Sequence, residues 1–293
     1  MSSKRRFIQL DVFSRQPLKG NPLAVVIDGD GLDEATMRAI ARWTNLSETA
    51  FLLTPTQPGA DYRVRIFTPT RELPFAGHPS VGSAYAAIET GLIAAGKQAL
   101  VQECAAGLLP VRVDGSGEER TIHVQAPPAH VHRVDTQTVH AMGDALHHVL
   151  DDAQVRMVIN GPHWLLCNLH EASHVRALDP NFPAIAALCK RHKAIGLSVF
   201  GREHMKDASM AVRAFCPDDG IPEDPVTGSA NAAIMAFLAE SGDSVYGSRY
   251  RASQGREVER DGYVDVARDP ASGAITIGGD CVVTIRGELD LRG

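Results

Sequence analysis

Glu48 lies in Ser47-Glu48-Thr49, directly before the apolar run Ala50-Phe51-Leu52-Leu53. A carboxylate among apolar neighbours, partly stripped of water, has its pKa raised, which suits a base that takes a proton from carbon near neutral pH. His78 and Asp224 form a second candidate set, because Gly77-His78-Pro79 and Glu223-Asp224-Pro225 occupy equivalent places in a segment that occurs twice. A histidine and a carboxylate at matched positions offer a proton donor and acceptor on opposite sides of a cleft. The plainer readings are a solvated turn for Glu48, and helix caps or turn supports for His78 and Asp224. A third pattern, His170-Glu171-Ala172-Ser173-His174, has the spacing of zinc proteases, in which two histidines one helical turn apart hold the metal. That chemistry needs a long helix. Here the pattern follows the strand-like Trp164 to Leu169, Asp179-Pro180 ends any helix soon after, and no third ligand is identifiable, so no metal is expected.

The elements that must position these residues follow from the repeat. Val64-Arg65-Ile66-Phe67-Thr68-Pro69, then Pro74, then Pro79-Ser80-Val81-Gly82-Ser83-Ala84 return as Val212-Arg213-Ala214-Phe215-Cys216-Pro217, then Pro222, then Pro225-Val226-Thr227-Gly228-Ser229-Ala230. The period is half the chain, the size of a domain rather than of a solenoid unit. In each copy a β-rich run meets a Pro-containing turn, and Pro-x-x-Gly-Ser opens an Ala-rich stretch of good helix propensity. The N–H groups of a first helical turn, with the positive end of the helix dipole, make an anion site. Two such starts converging on one cleft would suit a small carboxylate; duplication with no chemical meaning is the plainer alternative.

The coarse pattern predicts helices from about Asp33 to Trp43 and Ser83 to Ala95 in the first half, and near Thr136 to Leu150, Phe182 to Arg191 and Ser229 to Ala239 in the second. Gly115-Ser116-Gly117 signals a hairpin, and Ala126-Pro127-Pro128-Ala129 is the best linker.

Composition fits a cytoplasmic enzyme. The 293 residues are 44% hydrophobic, and no apolar run approaches the roughly 20 residues needed to span a bilayer. Met1-Ser2-Ser3-Lys4-Arg5-Arg6 leads into the strand-like Phe7 to Phe13 without a signal-peptide core. Five cysteines without close pairing favour reduced thiols. A net charge of −6 with scattered basic residues gives no polyanion footprint, so neither nucleic acid nor membrane is an expected partner.

Several ordered motifs resemble one family. Asp11-Val12-Phe13 with Gly20-Asn21-Pro22-Leu23-Ala24-Val25, Asn45-Leu46-Ser47-Glu48-Thr49-Ala50-Phe51, Phe67-Thr68-Pro69 with Glu72-Leu73-Pro74-Phe75-Ala76-Gly77-His78-Pro79, and Glu223-Asp224-Pro225-Val226-Thr227-Gly228-Ser229-Ala230-Asn231 are similar to the phenazine biosynthesis PhzF-like proteins, of the diaminopimelate epimerase fold superfamily. The resemblance implies an α+β fold of two pseudo-symmetric domains, each an antiparallel β-sheet or barrel wrapped around a central helix, with the active site between them. It divides the chain into 1–127 with 280–293, and 128–279. It implies a cofactor-independent isomerase, with no metal, acting on a small carboxylate-bearing substrate, and a homodimer. Glu48 maps onto the proton shuttle, and His78 with Gly77, and Asp224 with Gly228 and Ser229, map onto pocket residues. The catalytic candidates are therefore Glu48, His78 and Asp224, and the substrate-binding candidates Ser47, Gly77, Gly228 and Ser229. The name-giving member isomerises a dihydro-hydroxyanthranilate. Epimerases on this fold use two cysteines at the helix starts; here those places hold Gly77-His78 and Asp224, and Cys216 is the nearest thiol, so a two-thiol racemase is not expected. The family's Gly-Arg-Pro turn after Gln-Gly is replaced by Arg256-Glu257-Val258-Glu259-Arg260-Asp261-Gly262, which leaves the conformation of the 254–262 loop open. A non-catalytic small-molecule binding protein on the same fold, or a zinc hydrolase through His170 and His174, are the alternatives.

Overall fold

The computed structural model describes residues 4–291; Met1, Ser2 and Ser3 of the basic amino-terminal stretch lie outside the described residues. The chain divides into two compact units, Met1–Gln125 with Gly278–Gly293, and Ala126–Ile277.

In unit 1 the strands are β1 (Lys4–Val12), β2 (Asn21–Val26), β3 (Thr49–Leu53), β4 (Tyr62–Phe67), β5 (Glu72–Leu73), β6 (Ala99–Cys104), β7 (Gly107–Asp114) and β8 (Thr121–Gln125). The chain's last strand, β17 (Ile275–Asp290), returns to this unit and pairs with both β1 and β8. The ladder β1-β2-β3-β4-β6-β7-β8-β17 therefore closes on itself as an eight-stranded barrel. Closure leaves no free edge.

Helix α2 (Gly77–Glu89) fills the barrel, and every residue from Gly77 to Ile88 is buried. Its small residues let strands approach on all sides; a Cβ on Gly82 would lie 2.6 Å from Leu23 Cδ2 and 2.8 Å from Val12 Cγ2, so any larger residue would force these core side chains to shift. Helix α1 (Glu34–Thr44) packs outside. Asp33 caps it by accepting from the Thr36 N–H at 2.8 Å, and Met37, Ile40 and Ala41 face Val26, Phe51, Leu53 and Phe67.

Unit 2 repeats the plan with β9 (His130–His132), β10 (Val155–Ile159), β11 (His163–Glu171), β12 (Gly196–Arg202), β13 (Met210–Cys216), β14 (Ile221–Asp224), β15 (Arg249–Gln254) and β16 (Gly262–Arg268). Helix α6 (Gly228–Ser241), buried from Gly228 to Leu238, is its central helix. Helices α3 (Thr136–Leu146) and α5 (Phe182–His192) cover the outside through Val139, Met142, Ile185 and Leu188, and α4 (Ala172–Arg176) is a single short turn.

The sheets are mixed rather than wholly antiparallel. β2 runs parallel to β3, and β4 to β6; the matching pairs β11 with β12 and β13 with β15 are parallel too. Each parallel pair is joined by a crossover that contains helix, the usual way to span such a connection. The repeat also recurs in side chains: Arg65 pairs with Glu72 and covers the Phe67 ring, as Arg213 pairs with Glu223 and covers Phe215.

The expected helices are present with shifted ends. The stretch placed at Ser83 to Ala95 begins instead at Gly77, because Pro79 is tolerated in a first turn, where a missing N–H costs nothing, and Gly91 at φ 74 follows its end. α3 stops at Leu146, where His147 adopts a left-handed cap, rather than reaching Leu150.

Candidate active site

Glu48 is held between the end of α1 and the start of β3. Asn45 closes α1 in the left-handed conformation (φ 53), Thr44 Oγ1 lies 2.7 Å from Thr49 Oγ1, and Thr49 is paired with Ala24 on one side and Phe67 on the other. Little backbone freedom remains for the residue between. The Glu48 side chain is 14% exposed, its Oε2 is buried, and that oxygen stands 3.6 Å from His78 Nε2.

His78 is the second residue of α2 and is 4% exposed. Burial pushes its pKa down from 6.5 to about 3, so the imidazole is neutral near neutral pH. Its Nδ1 lies 3.3 Å from Asn21 Nδ2, and the Ser47 hydroxyl donates to Asn21 Oδ1 at 3.4 Å. Unit 1 thus brings Ser47, Glu48, Gly77 and His78 together, with Asn21, fully buried at the start of β2, as the link between them. No motif spacing marks Asn21 as a site residue. Its one signal was a polar side chain between Gly20 and Pro22 at the head of an apolar strand. The first turn of α2 is held by a buried relay, Tyr62 O–H to Gln102 Oε1 at 3.0 Å and Gln102 Nε2 to Ser80 Oγ at 3.0 Å.

In unit 2 Asp224, Gly228 and Ser229 gather around the start of α6, but not as mirror images of unit 1. His78 lies inside a helix, whereas Asp224 is the last residue of β14 and precedes α6 by a three-residue turn. The ladder explains this: Ile66 of β4 pairs with Leu73, and its counterpart Ala214 pairs with Asp224 itself, so the second copy stays extended where the first has turned helical. The Asp224 carboxylate accepts from Thr227 Oγ1 at 2.6 Å. Gln254, fully buried, secures the turn by donating to the Asp224 carbonyl at 3.0 Å and to Thr227 Oγ1 at 2.8 Å, and by accepting from the Thr227 N–H at 3.0 Å. Ser229 Oγ accepts from Trp164 Nε1 at 3.3 Å, and Asn160 donates to the Ser229 carbonyl at 2.9 Å.

The 254–262 loop has a defined path. Gly255 turns at φ 99, a short 3-10 turn covers Arg256–Val258, and the Arg260 N–H closes the loop on the Gly255 carbonyl at 2.8 Å. A Cβ on Gly255 would lie 2.5 Å from the Pro225 carbonyl oxygen, so this loop presses on the turn before α6 without the family's Gly-Arg-Pro sequence.

The zinc-like pattern is split. His170 (φ 63) and Glu171 end β11, His174 sits in α4, and His174 Nδ1 lies 3.0 Å from the Leu169 carbonyl, so the two histidines do not share one helical face. Among the described residues no group of three or more His, Cys, Asp and Glu side chains is placed to hold a metal ion.

The fold has a central buried helix in each unit, and in unit 1 the Asn-x-Ser-Glu-Thr and Gly-His-Pro residues meet. The sequence profile of the phenazine biosynthesis-like proteins matches residues 10–287. The chain belongs to this family. Among its relatives, antisense-enhancing sequence 1 of Schizosaccharomyces pombe is 36% identical, with 98% of this chain and 99% of the relative aligned. Trans-2,3-dihydro-3-hydroxyanthranilate isomerase of Pseudomonas aeruginosa is 34% identical, with 87% of each aligned. The crystal structure of the Bacillus anthracis phenazine biosynthesis protein of the PhzF family superposes with a TM-score of 0.84 at 26% identity, covering 98% of this chain and 99% of that one. A probable proline racemase from Agrobacterium radiobacter, at 15% identity and TM-score 0.71 over 98% and 93% of the two chains, shares the fold alone. The protein is thus an enzyme of a PhzF-like isomerase family with an epimerase-type fold. No helix among the described residues is long and apolar enough to cross a membrane.

Proposed function

We propose that this chain moves a proton between two carbons of a small carboxylate-bearing substrate, with Glu48 as the proton carrier. The observation that carries this reading is the Glu48–His78 contact. A carboxylate only 14% exposed, with a buried oxygen 3.6 Å from a neutral imidazole, sits in the partly desolvated, polar-lined setting that a carbon-acid base needs. In the step, the carboxylate takes a proton from one carbon, the freed electron pair shifts along the substrate's π-system, and the resulting carboxylic acid returns the proton to a second carbon. Nothing is oxidised or reduced, so the balance needs no redox cofactor. His78 and Asp224 are proposed to support this chemistry, and Ser47, Gly77, Gly228 and Ser229 to bind. The first-turn N–H groups of α2 and α6 favour a substrate carboxylate.

The Pseudomonas aeruginosa relative named for trans-2,3-dihydro-3-hydroxyanthranilate supplies the first substrate class to try. We further read the protein as a cytoplasmic homodimer, on the family resemblance and on five buried cysteines outside any disulfide; light scattering during gel filtration checks the dimer. The enzyme reading is tested by incubating cyclic and open-chain unsaturated carboxylates with the protein in deuterated water and following carbon-bound deuterium by mass spectrometry. Incorporation supports isomerase chemistry. Tight binding without incorporation supports a binding protein instead.

A further inference from the structure

We propose that Asn21 is a positioning residue that fixes the tautomer of His78, so that the imidazole presents an N–H to Glu48 rather than a lone pair. This rests on the Glu48 reading above and extends it by one residue. The three side chains form a directed chain. The Ser47 hydroxyl donates to Asn21 Oδ1 at 3.4 Å, which orients the amide so that its NH₂ faces the ring. Asn21 Nδ2 then donates to His78 Nδ1 at 3.3 Å, so Nδ1 is the acceptor and holds the lone pair. In a neutral imidazole the proton is left on Nε2, the nitrogen 3.6 Å from Glu48 Oε2. Such contacts are commonly long in ligand-free enzymes and tighten around the substrate.

The arrangement needs each partner where it is. Asn21 is fully buried and His78 is 4% exposed, so water does not compete for Nδ1, and burial keeps the ring neutral. A carboxylate in place of the Asn21 amide has no hydrogen to give. It would draw a proton onto Nδ1 and turn the Nε2 lone pair, or a full positive charge, toward Glu48. An amide at this point therefore decides which face of the histidine the proton carrier meets.

The test reads the tautomer directly. Long-range proton–nitrogen spectra of [15N]histidine-labelled protein, with the His78 signal assigned by its loss in His78→Gln, are recorded for wild type, Asn21→Asp and Asn21→Leu. Wild type is expected to show an unprotonated Nδ1 and a protonated Nε2. Asn21→Asp is expected to gain a proton on Nδ1, and Asn21→Leu to show a mixture. A protonated Nδ1 in the wild type would overturn the proposal, as would an Asn21→Asp spectrum unchanged from it. The wild-type spectrum alone decides if the variants fail to fold, and no substrate is needed, so failure here is separate from failure of the Glu48 chemistry. Where a substrate is in hand, Asn21→Asp should lower kcat for carbon–proton exchange at least tenfold with KM nearly unchanged, and should cost nothing further in a Glu48→Gln background.

Discussion

Gly196 holds in the second unit the position that Glu48 holds in the first. Thr49 pairs with Phe67 and Leu197 with Phe215, and the two phenylalanines match in the sequence repeat, so the residues just before, Glu48 and Gly196, are counterparts. A Cβ on Gly196 would lie 2.6 Å from the Phe215 carbonyl oxygen and 2.7 Å from the Trp164 ring, which leaves no room for an acid. The duplicated scaffold carries one base at this place, not two. On the proposed chemistry a single carboxylate both takes and returns the proton.

The burial of His78 has a signature in stability against pH. The unfolded chain protonates this ring near pH 6.5 and the folded chain near pH 3, so between those values the unfolded state binds more protons. Stability linked to this group is full above pH 6.5 and is lost as pH falls toward 3. Thermal melts from about pH 7 to about pH 4 should show a slope steeper in wild type than in His78→Gln by up to one proton. Equal slopes would mean that the ring is not buried as a neutral group.

The two Arg–Glu pairs that repeat across the units differ in burial, and should differ in worth. Arg213 and Glu223 have side chains 6% and 5% exposed, against 26% for each of Arg65 and Glu72. Arg213→Leu leaves a buried carboxylate uncompensated and should cost about 3–5 kcal/mol in denaturant unfolding, much of it recovered in Arg213→Met/Glu223→Leu. Arg65→Leu should cost about 1 kcal/mol. Equal losses would show that burial does not set the difference.

The repeat makes the two-unit architecture legible in the sequence, since Pro-x-x-Gly-Ser and the Ala-rich runs that follow mark the two buried helices. Ser47, Glu48, Gly77 and His78 stand out in the sequence as candidates because they cluster in short motifs, and they meet in one unit. Two things were hidden. Asn21 is far from His78 in sequence, and only the barrel's β2–β3 pairing brings its strand beside Glu48. The unequal places of His78 and Asp224 depend on where each ladder stops, at Leu73 or at Asp224, and residue types do not set that.

The helix starts give a prediction about anions. A carboxylate, sulfate or phosphate bound in crystals should contact N–H groups around Gly77 to Gly82 or Val226 to Ala230, at the positive ends of α2 and α6. Gly228→Val should weaken that binding while leaving most of the α6 core packed. Anions found only elsewhere would count against carboxylate recognition by these turns.

The most direct test of the central claim is Glu48→Gln, which keeps the shape and removes the base. In deuterated water, with a substrate that the wild type isomerises, the account predicts that the variant loses about 10²–10⁴ in turnover, stops placing solvent deuterium on carbon, and binds the substrate with nearly unchanged affinity. Conversion and deuterium incorporation at the wild-type rate would contradict Glu48 as the proton carrier and move that role to His78 or Asp224.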